Sequence, residues 1–415
     1  MIVVGMLSGT SMDGLDTAVC EIEVLDGAGR LSVLAHRGVP WPAGLQERLL
    51  AVLPPAATTV GEIAALDNAV GRAAGAAAGA VLAEAGVRGE LVAWLGQTVF
   101  HWVADGRATG GLQLGQPAWI ADATGLPVVS DLRATDIAAG GHGAPLASTL
   151  DALRLAGKET RVALNLGGIA NLTVVAPSAP VIAYDTGPSN CWLDVVAHRV
   201  TGEPYDVDGA LAAAGTADEA LLAHLLADPY YAAPPPKTTG RELFTATALD
   251  AAVAAVRPGI AAPDLAATLV ALTARTVADA CRAHAPVEVV GSGGGMDNPT
   301  LRAALAAELG DVPLVRSDDR GLPSAAKEAV LTALLGALTW HGVPGVRPGA
   351  TGSRTARVLG RISPGHAPLR LPEPVGVLRS LEVVARGEDP VSLSAPGFPS
   401  RGKAGLPPHG HEVGA

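Results

Sequence analysis

The sequence predicts an α/β chain built from two related lobes, and three glycine-rich segments carry that prediction. Ile2 to Leu7 reads as a buried strand that passes through Gly9-Thr10-Ser11-Met12-Asp13-Gly14 into a second strand, Leu15 to Leu25. The same strand, glycine turn and strand return where Val162 to Leu166 run through Gly167-Gly168-Ile169-Ala170-Asn171 into Leu172 to Ala176. A third glycine segment, Gly291-Ser292-Gly293-Gly294-Gly295-Met296-Asp297-Asn298, follows the strand Val287 to Val290.

The remaining elements fall into place around these turns. An alanine-rich stretch over 60–86 reads as helix, and a strand over 90–95 ends in Gly96-Gln97-Thr98. Val181 to Tyr184 form a short strand ending at Asp185, where α/β ligand sites gather. The turn Thr186-Gly187-Pro188-Ser189 then opens a helix with Trp192, Val195, Val196 and Val200 on its buried face and Gly202 at its end. Asn298 as N-cap, Pro299 as first helical residue and Gly310 beyond the end define another helix. A further helix, Ser324 to Trp340, is apolar nearly all round, which predicts a central position, with charge only in its first turn at Lys327 and Glu328. The expected organisation is a first lobe over 1–133, a second over 134–345, a segment 346–370 that completes the fold, and a Pro/Gly-rich, mostly irregular tail over 371–415. Removal of that tail is expected to leave the protein folded and active.

Composition narrows the function classes. The chain has 415 residues, 49% of them hydrophobic but only 3% aromatic, so its cores are built from Ala, Val and Leu. A formal net charge of −11 argues against nucleic-acid binding, which needs a basic face. Cys20, Cys191 and Cys281 match no metal-ligand spacing and fit a reducing compartment. The start Met-Ile-Val-Val-Gly has no basic leader, and Arg72 and Glu84 interrupt the most apolar stretch. A cytoplasmic protein without a membrane segment is therefore expected.

A glycine turn between strands aims several backbone amides one way, and such a nest binds phosphate without net positive charge. Thr10 and Ser11 add hydroxyl donors, and Asp13 and Asp16 are placed to orient a magnesium ion through water. Other phosphate sites fail on residues: none of the four lysines sits in a Walker loop, and Met296 stands where the dinucleotide fingerprint begun by Gly291 and Gly293 needs glycine. No nucleophile elbow or zinc-protease motif occurs. A nucleotide held between two hairpins remains.

Eight blocks carry a family resemblance: 5–16 (GMLSGTSMDGLD), 96–101 (GQTVFH), 129–146 (VSDLRATDIAAGGHGAPL), 165–173 (NLGGIANLT), 185–190 (DTGPSN), 291–298 (GSGGGMDN), 321–329 (GLPSAAKEA) and 350–363 (ATGSRTARVLGRIS). In this order they resemble the anhydro-N-acetylmuramic acid kinase family. The resemblance implies two actin-like, ribonuclease H-like lobes with ATP and Mg2+ in the cleft between them. It also implies peptidoglycan recycling as the setting and a homodimer as the assembly. Gly9, Thr10, Ser11, Met12, Asp13, Gly14, Leu15 and Asp16 would form the first phosphate loop, with Asn165, Gly167, Gly168 and Asn171 the second. Gly293, Gly294, Gly295 and Asn298 would lie on the adenosine side. Asp185 matches the family's catalytic base, with Glu328 beside it in the catalytic set and Gln97, Thr98 and Arg133 on the substrate. The chain departs from the family at Trp94-Leu95, where Ser-His is usual, and at Ser189, where glycine is usual. The first departure is expected to remove a polar contact near the substrate, and the second to stiffen the turn behind Asp185.

On local spacing alone other roles compete. Asp185 before Thr-Gly-Pro reads as a turn-former. Arg133 reads equally as a surface partner of Asp131 or Asp136. Glu328 suits a helix start whatever its chemistry. His101 and His142 read as structural hydrogen-bonders, and His409 and His411 suggest no metal site. Two rival functions remain: another kinase of this fold acting on a sugar or carboxylate with a free hydroxyl, and a non-catalytic actin-like ATPase.

Overall fold

Alternating apolar strands in the first third of the chain assemble the first sheet. In the computed structural model, which describes residues 1–9, 12–104, 106–235, 237, 239 and 243–384, it starts with β1 (Ile2–Ser8), β2 (Gly14–Val24) and β3 (Ala28–Pro40) as an antiparallel meander. β4 (Leu91–Ala104) and β6 (Val128–Ser130) add parallel to β1, and β5 (Arg107–Leu114) folds back on the outer half of β4. The second sheet has β7 (Arg161–Leu166), β8 (Ile169–Val175), β9 (Ile182–Pro188), β10 (Glu288–Ser292) and β11 (Leu314–Arg316), in the order β11-β10-β7-β8-β9. β12 (Arg361–Ser363) and β13 (Ser380–Val384) return to close the two edges of the first sheet beyond β6 and β3. Thr10, Ser11, His409 and His411 lie outside the described residues, as does everything after Val384.

The helix Lys327–Trp340 is central, as its apolar circumference predicts, but its place corrects the expected lobe division. It packs on β1, β2 and β4 and shares a core with Val3, Leu7, Ala18 and Leu91, so chain from within 134–345 belongs to the first lobe. Close approach requires glycine here: a Cβ at Gly5 would collide with the Ala329 carbonyl oxygen, and one at Gly336 with Ala93. The short helix Ala147–Arg154 joins the two lobes. Its Leu150 and Leu153 enter the first core, while Ala152 and Leu155 pack on Ala163, Val175 and Val290 of the second sheet.

Four sequence expectations need correction. The strand that carries Asp185 does not end there but continues to Pro188, because Ala170 and Ile169 of β8 pair with Gly187 and Pro188 after a bulge. The turn Gly167 to Asn171 shrinks to Gly167-Gly168, since β8 begins at Ile169. The helix Asn190–Thr201 buries Trp192, Leu193, Val196 and Ala197, leaving Val200 exposed. The stretch after residue 370 is not wholly irregular: β13 pairs in parallel with β3 from Ser380↔Ala28 to Val384↔Ser32, and Leu378 and Leu381 are buried. Parallel pairing to a strand so distant in sequence leaves no local turn signal.

Candidate active site

Strand register lines up the second lobe's polar residues. Ser292 of β10 pairs with Asn165 of β7, Asn165 with Asn171 of β8, and Asn171 with Asp185 of β9. Their strand neighbours Leu164, Leu172 and Tyr184 enter the main core of that lobe, so the four polar side chains share the opposite face, toward the joint helix. Three strand spacings separate the ends of this row, about 14 Å. Gly293 directly beyond Ser292 has φ +86, and a Cβ there would lie 2.7 Å from Asn165 Oδ1. The third glycine segment therefore lies against the second hairpin. The carbonyls of Gly167 and Gly168 accept N–H groups of Ser189, Asn190 and Cys191, which ties the hairpin turn to the start of the next helix.

Among the described residues, Tyr230, Lys237 and Thr239 hold Asp185. Its N–H donates to the Lys237 carbonyl at 3.1 Å, its carbonyl accepts the Tyr230 hydroxyl at 2.9 Å, and its Oδ2 accepts the Thr239 N–H at 2.8 Å. A turn-former capping its own backbone would take an amide one or two residues on, whereas this carboxylate takes one from a distant segment.

The first lobe contributes charge. Asp16 stands on β2 opposite Leu7, on the face covered by the central helix, and burial followed by the nearby Asp13 pushes its carboxyl above the ordinary range. Glu328, in the first turn of that helix, keeps a solvent-exposed surface yet is ringed by protein atoms. That desolvation, then Asp16, raises its carboxyl, against the opposing pull of Arg133 and Lys327. Desolvation lowers the pKa of Arg133, Glu328 raises it, and Arg133 Nη1 donates to the Gly143 carbonyl at 2.6 Å while Nε is buried without a partner among the described residues. Neither local partner suggested for Arg133 pairs with it: Asp131 bridges Arg361 at 3.0 Å, and Asp136 accepts from the Gly143 amide and the Thr351 hydroxyl. His101 lies close enough for burial, then Arg133 and His142, to lower its pKa.

The two lobes meet at Lys327. Its Nζ lies 2.9 Å from Asp151 Oδ1 on the joint helix and 3.2 Å from Ser292 Oγ at the end of the polar row. Glu328 thus sits one residue from a direct contact with the second sheet.

Several expected contacts take a different form. Gln97 is 1% exposed; its amide nitrogen donates to the carbonyls of Gly9 and Thr98 and so supports the first glycine loop, while its Oε1 is buried without a partner among the described residues. Thr98 accepts the Gln113 amide. Met12 and Leu15 are buried core residues whose backbone alone faces the turn, and Asn298 caps its helix through the Leu301 amide. Gly14 has no left-handed φ; it is required because a Cβ would strike the Val39 carbonyl oxygen. The departure at Trp94-Leu95 lies wholly in the cores, with the Trp94 indole donating to the Gly115 carbonyl at 2.8 Å. Sequence reasoning missed Tyr230, Lys237 and Thr239. The run Pro234-Pro235-Pro236-Lys237, with one of only four lysines, was the available signal.

Two sheets meeting at a polar joint, each with an antiparallel hairpin closed by a glycine turn, define a two-lobed α/β protein. The family described as anhydro-N-acetylmuramic acid kinase matches residues 1–365. Proteins of that name from Streptomyces coelicolor and Rhodococcus erythropolis are 52% and 49% identical, covering 91% and 88% of this chain and 97% and 94% of theirs. The chain belongs to the anhydro-N-acetylmuramic acid kinase family. Among solved structures, xylulose kinase from Rhodospirillum rubrum aligns with a TM-score of 0.41 at 15% identity, covering 81% of this chain and 90% of that one.

Proposed function

We propose that this protein is an ATP-dependent kinase that opens 1,6-anhydro-N-acetylmuramic acid with water and phosphorylates O6, and that Asp185 is its general base. The single observation that carries the assignment of Asp185 is the polar row Ser292, Asn165, Asn171 and Asp185, which runs from the lobe joint to a carboxylate fixed by a backbone amide. The anhydro sugar has no free 6-hydroxyl, because O6 is bonded to C1. Asp185 takes a proton from water as that water bonds to C1; the C1–O6 bond breaks, O6 bonds to the γ-phosphorus, and ADP leaves. Glu328 and Arg133 line the sugar side, and the turns at Gly9, Gly14, Gly167 and Gly168 receive the phosphates.

Mg2+ fits the first loop. Burial, and after it the neighbouring Asp13, raises the Asp16 carboxyl, so two carboxylates stand close enough for a cation between them to relieve their repulsion. Asp13 would hold the ion through water. Bound there, the ion would neutralise charge on the phosphates. The proposal includes a cytoplasmic setting in peptidoglycan recycling and a homodimer, the latter tested by sedimentation. Among the described residues no helix is long and apolar enough to cross a membrane.

The test is a product assay with the anhydro sugar, ATP and magnesium. The expected product is one water heavier than a simple phosphoryl adduct; an adduct without water identifies another sugar kinase, and ATP hydrolysis alone identifies an actin-like ATPase. Asp185→Asn is expected to lower turnover by roughly 10²–10⁴-fold with ATP affinity within a few-fold. Near-native turnover would remove Asp185 from proton transfer.

A further inference from the structure

β9 is an edge strand of the second sheet, yet its outer edge at Asp185 is covered. A strap made of the one-turn helix Pro229–Ala232 with Lys237 and Thr239 lies along that edge, ahead of the buried Phe244. This strap supplies all three contacts to Asp185 described above. Three features anchor it. Tyr231 packs on Gly187, where a Cβ would lie 2.8 Å from its ring. Tyr230 meets Phe244 edge-on at 5.7 Å, and Phe244 meets Trp192 at 5.3 Å. Lys237 Nζ donates to the carbonyls of Tyr230 and Tyr231 at 2.9 and 3.1 Å while standing 4.7 Å from the centre of the Tyr230 ring.

We infer that Lys237 is a positioning residue for the reaction, locking the strap so that the Thr239 amide orients the Asp185 carboxylate; the inference rests on Asp185 being the base. Lys237 closes a short loop upon itself. Its ammonium satisfies two carbonyls at the end of the 229–232 turn, where a cation suits the outward carbonyls, and its own carbonyl takes the Asp185 N–H. With the ammonium removed, the Tyr231 carbonyl loses this donor, the Tyr230 carbonyl keeps the Ala233 amide, and Lys237 is released from the 229–232 turn. The Thr239 N–H then no longer holds Oδ2 in place. The strap bears on Asp185 from the side away from Asn171, so its loss disturbs the base and leaves the glycine turns unaltered.

The experiment is a double-mutant cycle on the full chain. Lys237→Met is expected to lower kcat by about 10–100-fold, the penalty of a misplaced reacting group, with ATP affinity and KM for the sugar within about twofold. In an Asp185→Asn background the same substitution should change turnover by less than about twofold, since there is no base left to position. Lys237→Arg, which retains a donor for the two carbonyls, should recover part of the loss. Equal losses in both backgrounds, with Asp185→Asn itself impaired, would overturn the inference and leave the base assignment standing. A near-native Asp185→Asn enzyme would overturn the base assignment and this inference with it. Should Lys237→Met fail to fold, Tyr230→Phe carries the same cycle, because it deletes only the hydroxyl that reaches the Asp185 carbonyl.

Discussion

Lys327→Met tests how the lobes are joined. The Lys327 and Asp151 side chains are 11% and 5% exposed, and Nζ lies within 3.1 Å of both carboxylate oxygens. Replacing the lysine keeps the volume but removes the direct partner of the Asp151 carboxylate between two cores, leaving Arg154 as a more distant positive neighbour, and takes a donor from Ser292. Removing one member of a buried pair costs about 3–5 kcal/mol, because the survivor keeps its desolvation penalty without compensation. Asp151→Asn on top of Lys327→Met removes the stranded charge and should recover at least ~1 kcal/mol, so the double variant is expected to be more stable than the single. Urea unfolding followed by tryptophan fluorescence supplies the three midpoints needed. A Lys327→Met protein within about 0.5 kcal/mol of the parent would refute the reasoning, as would a double variant less stable than the single.

Three further outcomes are expected. Gly14→Val should weaken ATP binding in a folded protein, because the added side chain strikes the Val39 carbonyl oxygen and displaces the first turn; unchanged affinity by calorimetry would take this turn out of the nucleotide site. Leu381→Ala should cost about 2–4 kcal/mol, and truncation after residue 370 more, since it also removes Leu378 and the β3 pairing; an unaltered melting temperature in either would show that β13 adds nothing. Glu328 has a carboxyl raised in the fold, so the folded state holds its proton more tightly than the unfolded chain. Its contribution is fully present below the ordinary value of 4.5 and is lost as pH rises from there through the raised value. Glu328→Gln should therefore gain thermal stability relative to the parent as pH climbs through that window, and a constant difference across it would contradict the burial argument.

The parts of the fold that were legible in the sequence are those with local signals. The two glycine hairpins, the helix Pro299–Leu309 with its Asn298 cap and Gly310 stop, and the all-apolar helix Lys327–Trp340 each announce themselves within a dozen residues. What stayed hidden depends on distant pairing. Nothing local says that β13 will find β3, that the helix Ala147–Arg154 will serve two cores, or that a segment fifty residues on will hold Asp185. Gln97 shows the same limit: its block was recognisable, but whether its amide faces a ligand or Gly9 depends on the bulge at Gly96 in β4. The polar row likewise needed strand register, since its four members span residues 165 to 292 in sequence and lie side by side only once the sheet forms.

The position of β13 has a consequence for the molecule's dealings with its neighbours in a crowded solution. β3 is 13 residues long, and without β13 it would be the outermost strand of its sheet, offering a row of unpaired amides and carbonyls to any other chain. β13 covers the first five residues, Ala28 to Ser32, and the strand ends at Pro40, which has no amide to donate. The last described strand thus acts as a seal against edge-to-edge association. A protease cut just ahead of it would expose an adhesive border as well as loosening the lobe.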